Sequence, residues 1–435
     1  MKQKELIQFI EKSPTAYHAV AEIAKMLVAA GFTELKRGDA WAICGGGKYY
    51  TTMNGSSIVA FKIGEKSENG GYMITAAHSD SPTFKLKENA VIGVKDKYTK
   101  LNCEGYGGMI CSTWLDRPLS IAGRVVVKEG ETFSSRLIDF DRDLVMIPNL
   151  AIHMNRDVND GYAFNKQIDM LPLLAGGKCD EDALKHLIAD ELAVQCDDIC
   201  GSDLYLYNRT PASEWGLNGE FISSGRLDDL ECAYTALKGF LAGDNESAIQ
   251  VYACFDNEEV GSGTKQGAAS TFLADVLSRI NSCLGKSESD YMRALASSFM
   301  LSCDNAHALH PNHPEKSDES NCVYMNEGIV IKSHAGQKYT SDAVSIAVMK
   351  EICNRAKVPY QFFANRSDMA GGSTLGNIAM TQVSVNCVDI GLAQLAMHSA
   401  YETAGTNDVD YMILAMTQFY NSRIMCDGDS IILAK

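Results

Sequence analysis

The chain has 435 residues, of which 46% are apolar and 22% are charged, so its composition excludes a fibrous or disordered protein. Its 39 basic and 55 acidic side chains give a net charge of −16, which argues against a nucleic-acid binder, since such proteins need a basic surface. It shows no signal-peptide pattern and no membrane-spanning apolar run, and its 14 cysteines are scattered, so we expect a cytoplasmic protein with reduced cysteines and no membrane partner.

The N-terminal part of the sequence predicts one helix and three strands. Ser13-Pro14-Thr15 precedes apolar residues at helical spacing, and Gly31 ends them, which indicates an amphipathic helix of about four turns. The strands are expected at Lys48–Met53, Ser57–Ile63 and Gly71–Ala77.

The middle of the chain differs in composition from the rest. It is rich in β-branched residues and turns, with a strand at Gly123–Val127 and a helix at Asp180–Ala193. We therefore predict that residues 91–215 form an inserted β-rich domain. It would interrupt a catalytic domain made of residues 1–90 and 216–435.

From about residue 225 the pattern alternates between helices and apolar strands. The predicted elements are Glu231–Leu241, Ala248–Phe255, Phe272–Ser282, Ser297–Cys303, Ser341–Ala356, Tyr360–Ala364, Thr374–Met380 and Val383–Asp389. This alternation predicts an α/β fold with a mixed, mostly parallel sheet flanked by helices.

Polar side chains follow several of these apolar segments. His78 and Asp80 follow one strand, Glu258-Glu259 a second and Asp304 a third, while Asp228 opens a helix and His398 ends an apolar stretch. Ligands of open α/β sheets bind outside the carboxyl ends of the strands. We therefore expect these segments to meet at one site.

The chemistry of this set points to divalent metal ions. Two histidines with several carboxylates suit zinc, with cobalt or manganese as alternatives. Asp228, Glu259 and Asp304 with one bridging hydroxide would balance the charge of two divalent ions. Asp80 could orient a metal-bound His78, and Glu258 would remain free as a general base of a two-metal hydrolase.

The motifs resemble those of the aspartyl aminopeptidase family of dinuclear zinc metallopeptidases, nearly from end to end. The matching segments are Ser13–Ala19, His78–Pro82, Arg226–Asp228, Asp256–Ser262, Gly372–Gly376 and Met397–Ser399. The resemblance implies an enzyme that removes an N-terminal residue from peptides with a free N-terminus.

The resemblance also implies roles for individual residues. One metal would be held by His78 and Asp304 and the other by Glu259 and His398, with Asp228 as the bridge and Glu258 as the general base. Family members form dodecamers in which a histidine of the insert reaches a neighbouring subunit's site.

That histidine corresponds to His153 here, and Lys332 and Tyr339 correspond to substrate contacts. The family often has an arginine where this chain has Tyr401, which leaves open whether the preferred N-terminal residue is acidic or neutral. Two other functions remain open at this point. They are a two-metal deacylase or carboxypeptidase and a non-catalytic assembly scaffold.

Overall fold

The computed structural model describes residues 2–67, 70–427 and 430–434. Within these ranges the α-helices are α1 (Lys2–Glu11), α2 (Ala16–Ala29), α3 (Lys166–Asp169), α4 (Ala183–Leu192), α5 (Leu227–Ala242), α6 (Phe272–Cys283), α7 (Glu288–Ala296), α8 (Ala343–Ala356), α9 (Leu375–Ala379) and α10 (Thr406–Tyr420). The strands are β1 (Thr33–Glu34), β2 (Lys48–Met53), β3 (Ser57–Ile63), β4 (Tyr72–His78), β5 (Thr83–Val94), β6 (Tyr98–Tyr106), β7 (Leu119–Glu129), β8 (Thr132–Asp139), β9 (Leu173–Gly176), β10 (Ile199–Asn208), β11 (Ser213–Trp215), β12 (Phe221–Ser224), β13 (Ile249–Phe255), β14 (Phe299–Cys303), β15 (Ala306–His307), β16 (Ile329–Lys332), β17 (Tyr360–Phe363), β18 (Asn386–Gly391), β19 (Ala393–Leu395), β20 (Glu402–Gly405), β21 (Arg423–Asp427) and β22 (Ser430–Ala434).

The central sheet has nine strands in the described part of the chain, in the order β1-β2-β3-β13-β4-β14-β18-β16-β17. Five of its neighbouring pairs are parallel. The other three are antiparallel. The predicted mixed, mostly parallel sheet is therefore confirmed.

Helices cover both faces of this sheet, and the strands between them are apolar on both sides. In β13, Tyr252 and Cys254 belong to the core formed with α1, α2, α5, α8 and α10, whereas Val251 and Ala253 belong to the core formed with α6 and α9. Strands covered on both faces have nearly continuous apolar sequences, which explains the sequence Ile249–Phe255. The sheet is thus held rigidly at the level where its strands end.

A second sheet is built from the chain between β4 and β11. Its order among the described residues is β8-β7-β10-β5-β6-β9, and all of its pairs are antiparallel. It has a separate core that includes Phe84, Leu119 and Leu204. Its first strand begins at Thr83, and the expected boundary at residue 91 falls inside that strand.

A third, smaller sheet of order β11-β12-β20-β19-β15 lies beyond the carboxyl ends of the central strands. β21 and β22 form a separate hairpin. No helix in the described ranges combines the length and apolar character that crossing a membrane requires.

Two C-terminal elements differ from the sequence-based expectation. No helix is predicted at Thr406–Tyr420, where α10 packs on α5, α8 and α1, because burial on several sides removes the one-sided apolar pattern of a surface helix. The strand expected at Val383–Asp389 begins only at Asn386, because the Val383 N–H donates to the Ala379 carbonyl and completes the turn after α9.

Candidate active site

The carboxyl ends of three adjacent strands bring four polar side chains together. β13, β4 and β14 are neighbouring and parallel, so they end at the same edge of the central sheet. His78 is the last residue of β4, Glu258 and Glu259 follow β13, and Asp304 follows β14. This is the edge at which ligands bind in open α/β sheets.

The other two expected ligands come from outside this trio of strands. Asp228 lies in the first turn of α5, where its backbone (φ −81°, ψ 109°) is not helical. His398 lies between β19 and β20 with a φ of 66°. Glu402 in β20 joins them, because its carboxylate accepts the main-chain N–H of Asp228 at 3.1 Å and that of His398 at 2.7 Å.

Asp228 is the side chain that the two histidines share. Nε2 of His78 lies 3.5 Å from its Oδ1, and Nε2 of His398 lies 3.4 Å from its Oδ2. Oε2 of Glu259 is 3.4 Å from Nε2 of His398. Ligand atoms within 4.8 Å of one another form three groups: His78, Asp228, Asp229 and Asp304; Asp228, Glu259 and His398; and His78, Glu258 and Glu259.

Several buried carboxylate oxygens in this cluster lack hydrogen bonds. Among the described residues, Oδ1 of Asp228, Oδ1 of Asp229 and Oε1 of Glu259 are buried without a hydrogen-bond partner. A buried carboxylate without a compensating charge or donor is costly in free energy. Because imidazole nitrogens face the same space, the donor set fits a divalent transition metal such as zinc.

The crowding of acidic groups shifts their proton affinities. Burial raises the pKa of Asp304 to about 6, although Lys332 acts in the opposite direction. Burial lowers the pKa of His398, but Asp228 and Glu259 outweigh it and raise that pKa to about 10. Burial would raise the pKa of Asp228, but the nearby imidazole groups of His398 and His78 outweigh it and hold that pKa below its usual range. The acidic cluster therefore favours the binding of positively charged groups or ions.

His78 is oriented from its other ring nitrogen. Its Nδ1–H donates to the main-chain carbonyl of Asp80 at 3.0 Å, whereas Oδ1 of the Asp80 carboxylate lies at 3.5 Å. The nearest acceptor is thus the carbonyl rather than the carboxylate that the sequence suggested. Either acceptor places the proton on Nδ1 and leaves Nε2 free to bind a metal.

Glu258 occupies a short 3-10 turn, Glu258–Val260, directly after Asn257. The Asp80 carboxylate holds this turn, accepting the N–H of Glu258 at 3.1 Å and that of Glu259 at 3.2 Å. Burial raises the pKa of Glu258 to about 8; His78 opposes this shift and Asp304 adds to it. A carboxyl group with such a pKa can exchange protons near neutral pH.

Lys332 and Tyr339, the expected substrate contacts, are both buried. The Lys332 side chain is 2% exposed, and its Nζ donates to the Asn305 carbonyl at 2.9 Å and lies 3.8 Å from Oδ1 of Asp304. The same ammonium lies 5.3 Å from the centre of the Tyr339 ring. In the structure the positive charge of Lys332 therefore lies beside the carboxylate of Asp304.

His153 is not part of this buried cluster. It is exposed in the loop between β8 and α3, and none of the ligand groups in the described ranges includes it. Ile152 and Met154 beside it are exposed as well.

Three residues of the site were not identified from the sequence. The carboxylates of Glu402 and Asp229 accept main-chain N–H groups of proposed ligands. Glu402 accepts those of Asp228 and His398, and Asp229 accepts that of His78 at 3.0 Å. Tyr106 donates to Oδ2 of Asp80 at 2.7 Å. The sequence did contain a signal for two of them, since Glu402 lies four residues after His398 and Asp229 directly follows Asp228. No sequence pattern pointed to Tyr106.

Sequence comparisons find relatives that match most of the chain. Residues 9–420 match the family model described as "Aminopeptidase I zinc metalloprotease (M18)". A "Probable M18 family aminopeptidase 2" of Clostridium novyi (strain NT) is 48% identical over 424 residues, covering 96% of this chain and 98% of the relative. The protein of the same name from Clostridium acetobutylicum is 46% identical over 424 residues, with 96% and 98% covered.

Solved structures show the same fold. The chain resembles a protein in the cryo-EM structure of the Ape4 and Nbr1 complex, with a TM-score of 0.92, 34% identity and coverage of 97% of this chain and 85% of that one. It also resembles the dodecamer of S. cerevisiae mApe1, with a TM-score of 0.83, 28% identity and coverage of 96% and 95%. The chain belongs to the M18 family of zinc metallopeptidases and is an aminopeptidase.

Proposed function

We propose that this aminopeptidase uses two divalent metal ions, most suitably zinc, that share the carboxylate of Asp228. His78 and Asp304 would hold one ion, and Glu259 and His398 the other. The observation that carries this proposal is the position of Asp228, which lies between the Nε2 atoms of both histidines at 3.4–3.5 Å and has a buried oxygen without a hydrogen bond.

Bound zinc would supply positive charge that polarises the scissile carbonyl group and acidifies a neighbouring water molecule. Glu258 accepts the proton of the attacking water on its carboxylate and returns it to the amine that leaves. Asp80 keeps Glu258 in position through the main-chain N–H of the turn. Lys332 stabilises the ionised form of Asp304, since it lowers the pKa that burial raises.

The substrates are peptides with a free N-terminus, and the first residue is acidic or neutral. Tyr401 takes the place of the arginine expected after His398, and its hydroxyl group donates to the Pro211 carbonyl at 2.7 Å. Tyr339, 4% exposed, lies beside Lys332, and both would contact the bound substrate.

We further propose that the chain assembles into a homo-oligomer, by similarity to the mApe1 dodecamer. Residues 91–215 would provide the contacts between subunits, with residues 1–90 and 216–435 as the catalytic domain. His153 would then enter the site of a neighbouring subunit and contact the reacting carbonyl group. Its exposure within the row Ile152-His153-Met154 supports this role.

A metal and substrate assay tests the two-metal proposal. Metal content per subunit would be measured by mass spectrometry, and hydrolysis followed with Asp, Glu, Leu and Met aminoacyl substrates before and after chelation. We expect about two zinc ions per subunit and chelator-sensitive cleavage that zinc restores. N-acetylated versions of the same peptides serve as the matched control and should remain intact.

Each other outcome contradicts a defined part of the proposal. One zinc ion per subunit at full activity would contradict the proposal that two ions share the carboxylate of Asp228. Cleavage of N-acetylated peptides in preference to free ones would identify a deacylase. Full activity after complete removal of metal would contradict the role of zinc.

A further inference from the structure

A segment of the second sheet crosses the active site within the same subunit. This strap, which we define as residues 106–113, begins at the last residue of β6 and continues into the loop that precedes β7. It is therefore covalently continuous with the second sheet, whereas the metal ligands and Glu258 come from other parts of the fold. None of its residues was assigned a role above, apart from the single contact of Tyr106.

The hydroxyl group of Tyr106 is the first contact of the strap. It donates to Oδ2 of Asp80 at 2.7 Å and accepts from Nδ2 of Asn257 at 2.8 Å. Asn257 precedes Glu258 with a φ of 62°, and its Oδ1 accepts from Thr264 and Gln266 at 2.8 Å each. Tyr106 thus contacts both residues that hold the Glu258–Val260 turn, Asp80 through its carboxylate and Asn257 through its side-chain amide.

The two glycines that follow allow the strap to approach the site closely. Gly107 has a φ of +74°, and a Cβ atom added to it would lie 3.2 Å from Cβ of Glu259. The carbonyl oxygen of Gly108 accepts from Nδ1 of His398 at 3.0 Å. That bond uses Nδ1, so that Nε2, which faces Asp228 and Glu259, is the ring nitrogen that would bind a metal ion.

The end of the strap holds the main chain around His398. The Ile110 N–H donates to the His398 carbonyl at 3.0 Å, and the Ala400 N–H donates to Oγ1 of Thr113 at 2.9 Å. The strap therefore contacts His398 at its carbonyl group and its ring, and the main chain again two residues later at Ala400. The strap contacts the base turn at its beginning and a predicted ligand at its end.

We propose that the strap positions both the general base and His398, and that Tyr106 is the positioning residue that couples the second sheet to Glu258. This inference rests on the roles proposed above for Glu258 and His398. Tyr106 does not touch the reacting atoms; it acts through Asp80 and Asn257. Its hydroxyl group is both donor and acceptor, so a side chain without it leaves the Asp80 carboxylate one hydrogen bond short and Asn257 Nδ2 without this acceptor.

The test compares Tyr106→Phe with Tyr205→Phe in the full-length protein. Tyr205 is a matched control, since its ring packs edge-on against Tyr106 at a centroid distance of 5.6 Å, whereas the hydrogen bonds to Asp80 and from Asn257 are made by the Tyr106 hydroxyl group. Zinc affinity would be measured by competition with a chromophoric chelator, and kcat and KM at saturating zinc.

For Tyr106→Phe we expect zinc affinity to fall about tenfold and kcat to fall about 10–100-fold, with KM within about twofold of wild type. Tyr205→Phe should match wild type in all three. Wild-type affinity and kcat in Tyr106→Phe would overturn the proposal. Equal losses in both variants, together with a lower melting temperature, would also overturn it, because they would indicate general loosening.

The zinc titration keeps this test separate from the proposed hydrolysis. If the wild-type protein binds zinc but cleaves no free peptide, the proposed function fails. The difference in zinc affinity between Tyr106→Phe and wild type then still decides whether the strap positions the site.

Discussion

Glu402 and Asp80, which are not among the proposed ligands, show how single carboxylates organise the candidate active site. Each accepts two main-chain N–H groups, from Asp228 and His398 in one case and from Glu258 and Glu259 in the other. A carboxylate can accept several hydrogen bonds at once, which an amide side chain with a single oxygen cannot do as well. The reactive side chains are thus fixed through their own backbones rather than by contacts that would occupy their functional atoms.

Replacing Glu258 by Gln tests the base at the residue scale. The amide has nearly the same shape but cannot take up a proton, so we expect kcat to fall about 100- to 10,000-fold. Metal content should stay at the wild-type value, because Glu258 is not one of the proposed ligands. Glu65→Gln, at an exposed position, is the matched control for the loss of one negative charge. A Glu258→Gln enzyme that retains more than a few per cent of wild-type kcat would exclude the proposed base.

The clustering of the proposed ligand and base residues could be predicted because all of them except Asp228 lie at or just after the end of an apolar segment of the sequence. His78 ends one buried strand and Asp304 directly follows another, and the sheet order then places them side by side. Tyr106 and Glu402 were not predictable in this way. Their partners, Asp80 and Asp228, are 26 and 174 residues away, and such pairings arise only when separate sheets come together.

The packing of α5 on α10 imposes a steric constraint at the scale of elements. Gly239 lies at their contact, and a Cβ atom added there would be 2.2 Å from Cβ of Met416 and 3.0 Å from its carbonyl carbon. Close-packed interiors do not absorb such an overlap without moving one helix. Because Asp228 lies in the first turn of α5, a displaced helix moves the shared carboxylate.

Gly239→Ala should therefore destabilise the protein by about 1–3 kcal/mol, even though alanine favours helix by about 1 kcal/mol. The free energy of unfolding would be measured by denaturant titration, with zinc affinity as the second readout. Gly38→Ala is the matched control, since its added methyl group would meet nothing within 4 Å. An unchanged or increased stability of Gly239→Ala would show that the two helices are not in the tight contact described here.

The elements themselves were predicted unevenly, for identifiable reasons. β2 and β3 begin and end at the predicted residues, because their strand-forming residues flank the turn residues Asn54-Gly55. The sequence gives little sign of β16, which has only four residues. Its Lys332 is a residue type typical of exposed strands, yet the ammonium group is buried, where it lies beside the Asp304 carboxylate and donates to the Asn305 carbonyl.

At the scale of the whole molecule, the second sheet has two roles in the proposed enzyme. Within a subunit it sends the strap across the site. Between subunits it would supply His153 from an exposed loop. The loop also exposes Leu150, Ile152 and Met154, with 52%, 48% and 71% of their surfaces accessible. A run of exposed apolar side chains is typical of a surface that contacts another protein chain.

A mixing experiment tests whether sites are shared between subunits. His153→Phe and Glu258→Gln enzymes should each have low kcat, with unchanged oligomer mass by light scattering. If the two variants are unfolded together and reassembled at equal amounts, about one quarter of the sites should contain an intact Glu258 beside a neighbour's intact His153. Activity should then rise to about a quarter of wild type. Variants mixed without reassembly are the control, and absence of recovery after reassembly would assign His153 to a different role.

The positions of the proposed ligands in the chain have a consequence for how activity first arises. His78 comes from an early strand and His398 from the loop between β19 and β20, with Asp228, Glu259 and Asp304 in between. No contiguous fragment that ends before β19 contains the full set, and contacts between distant segments form late in folding. A nascent chain that ends before His398 therefore lacks one of the proposed metal ligands, and we expect it to have no peptidase activity.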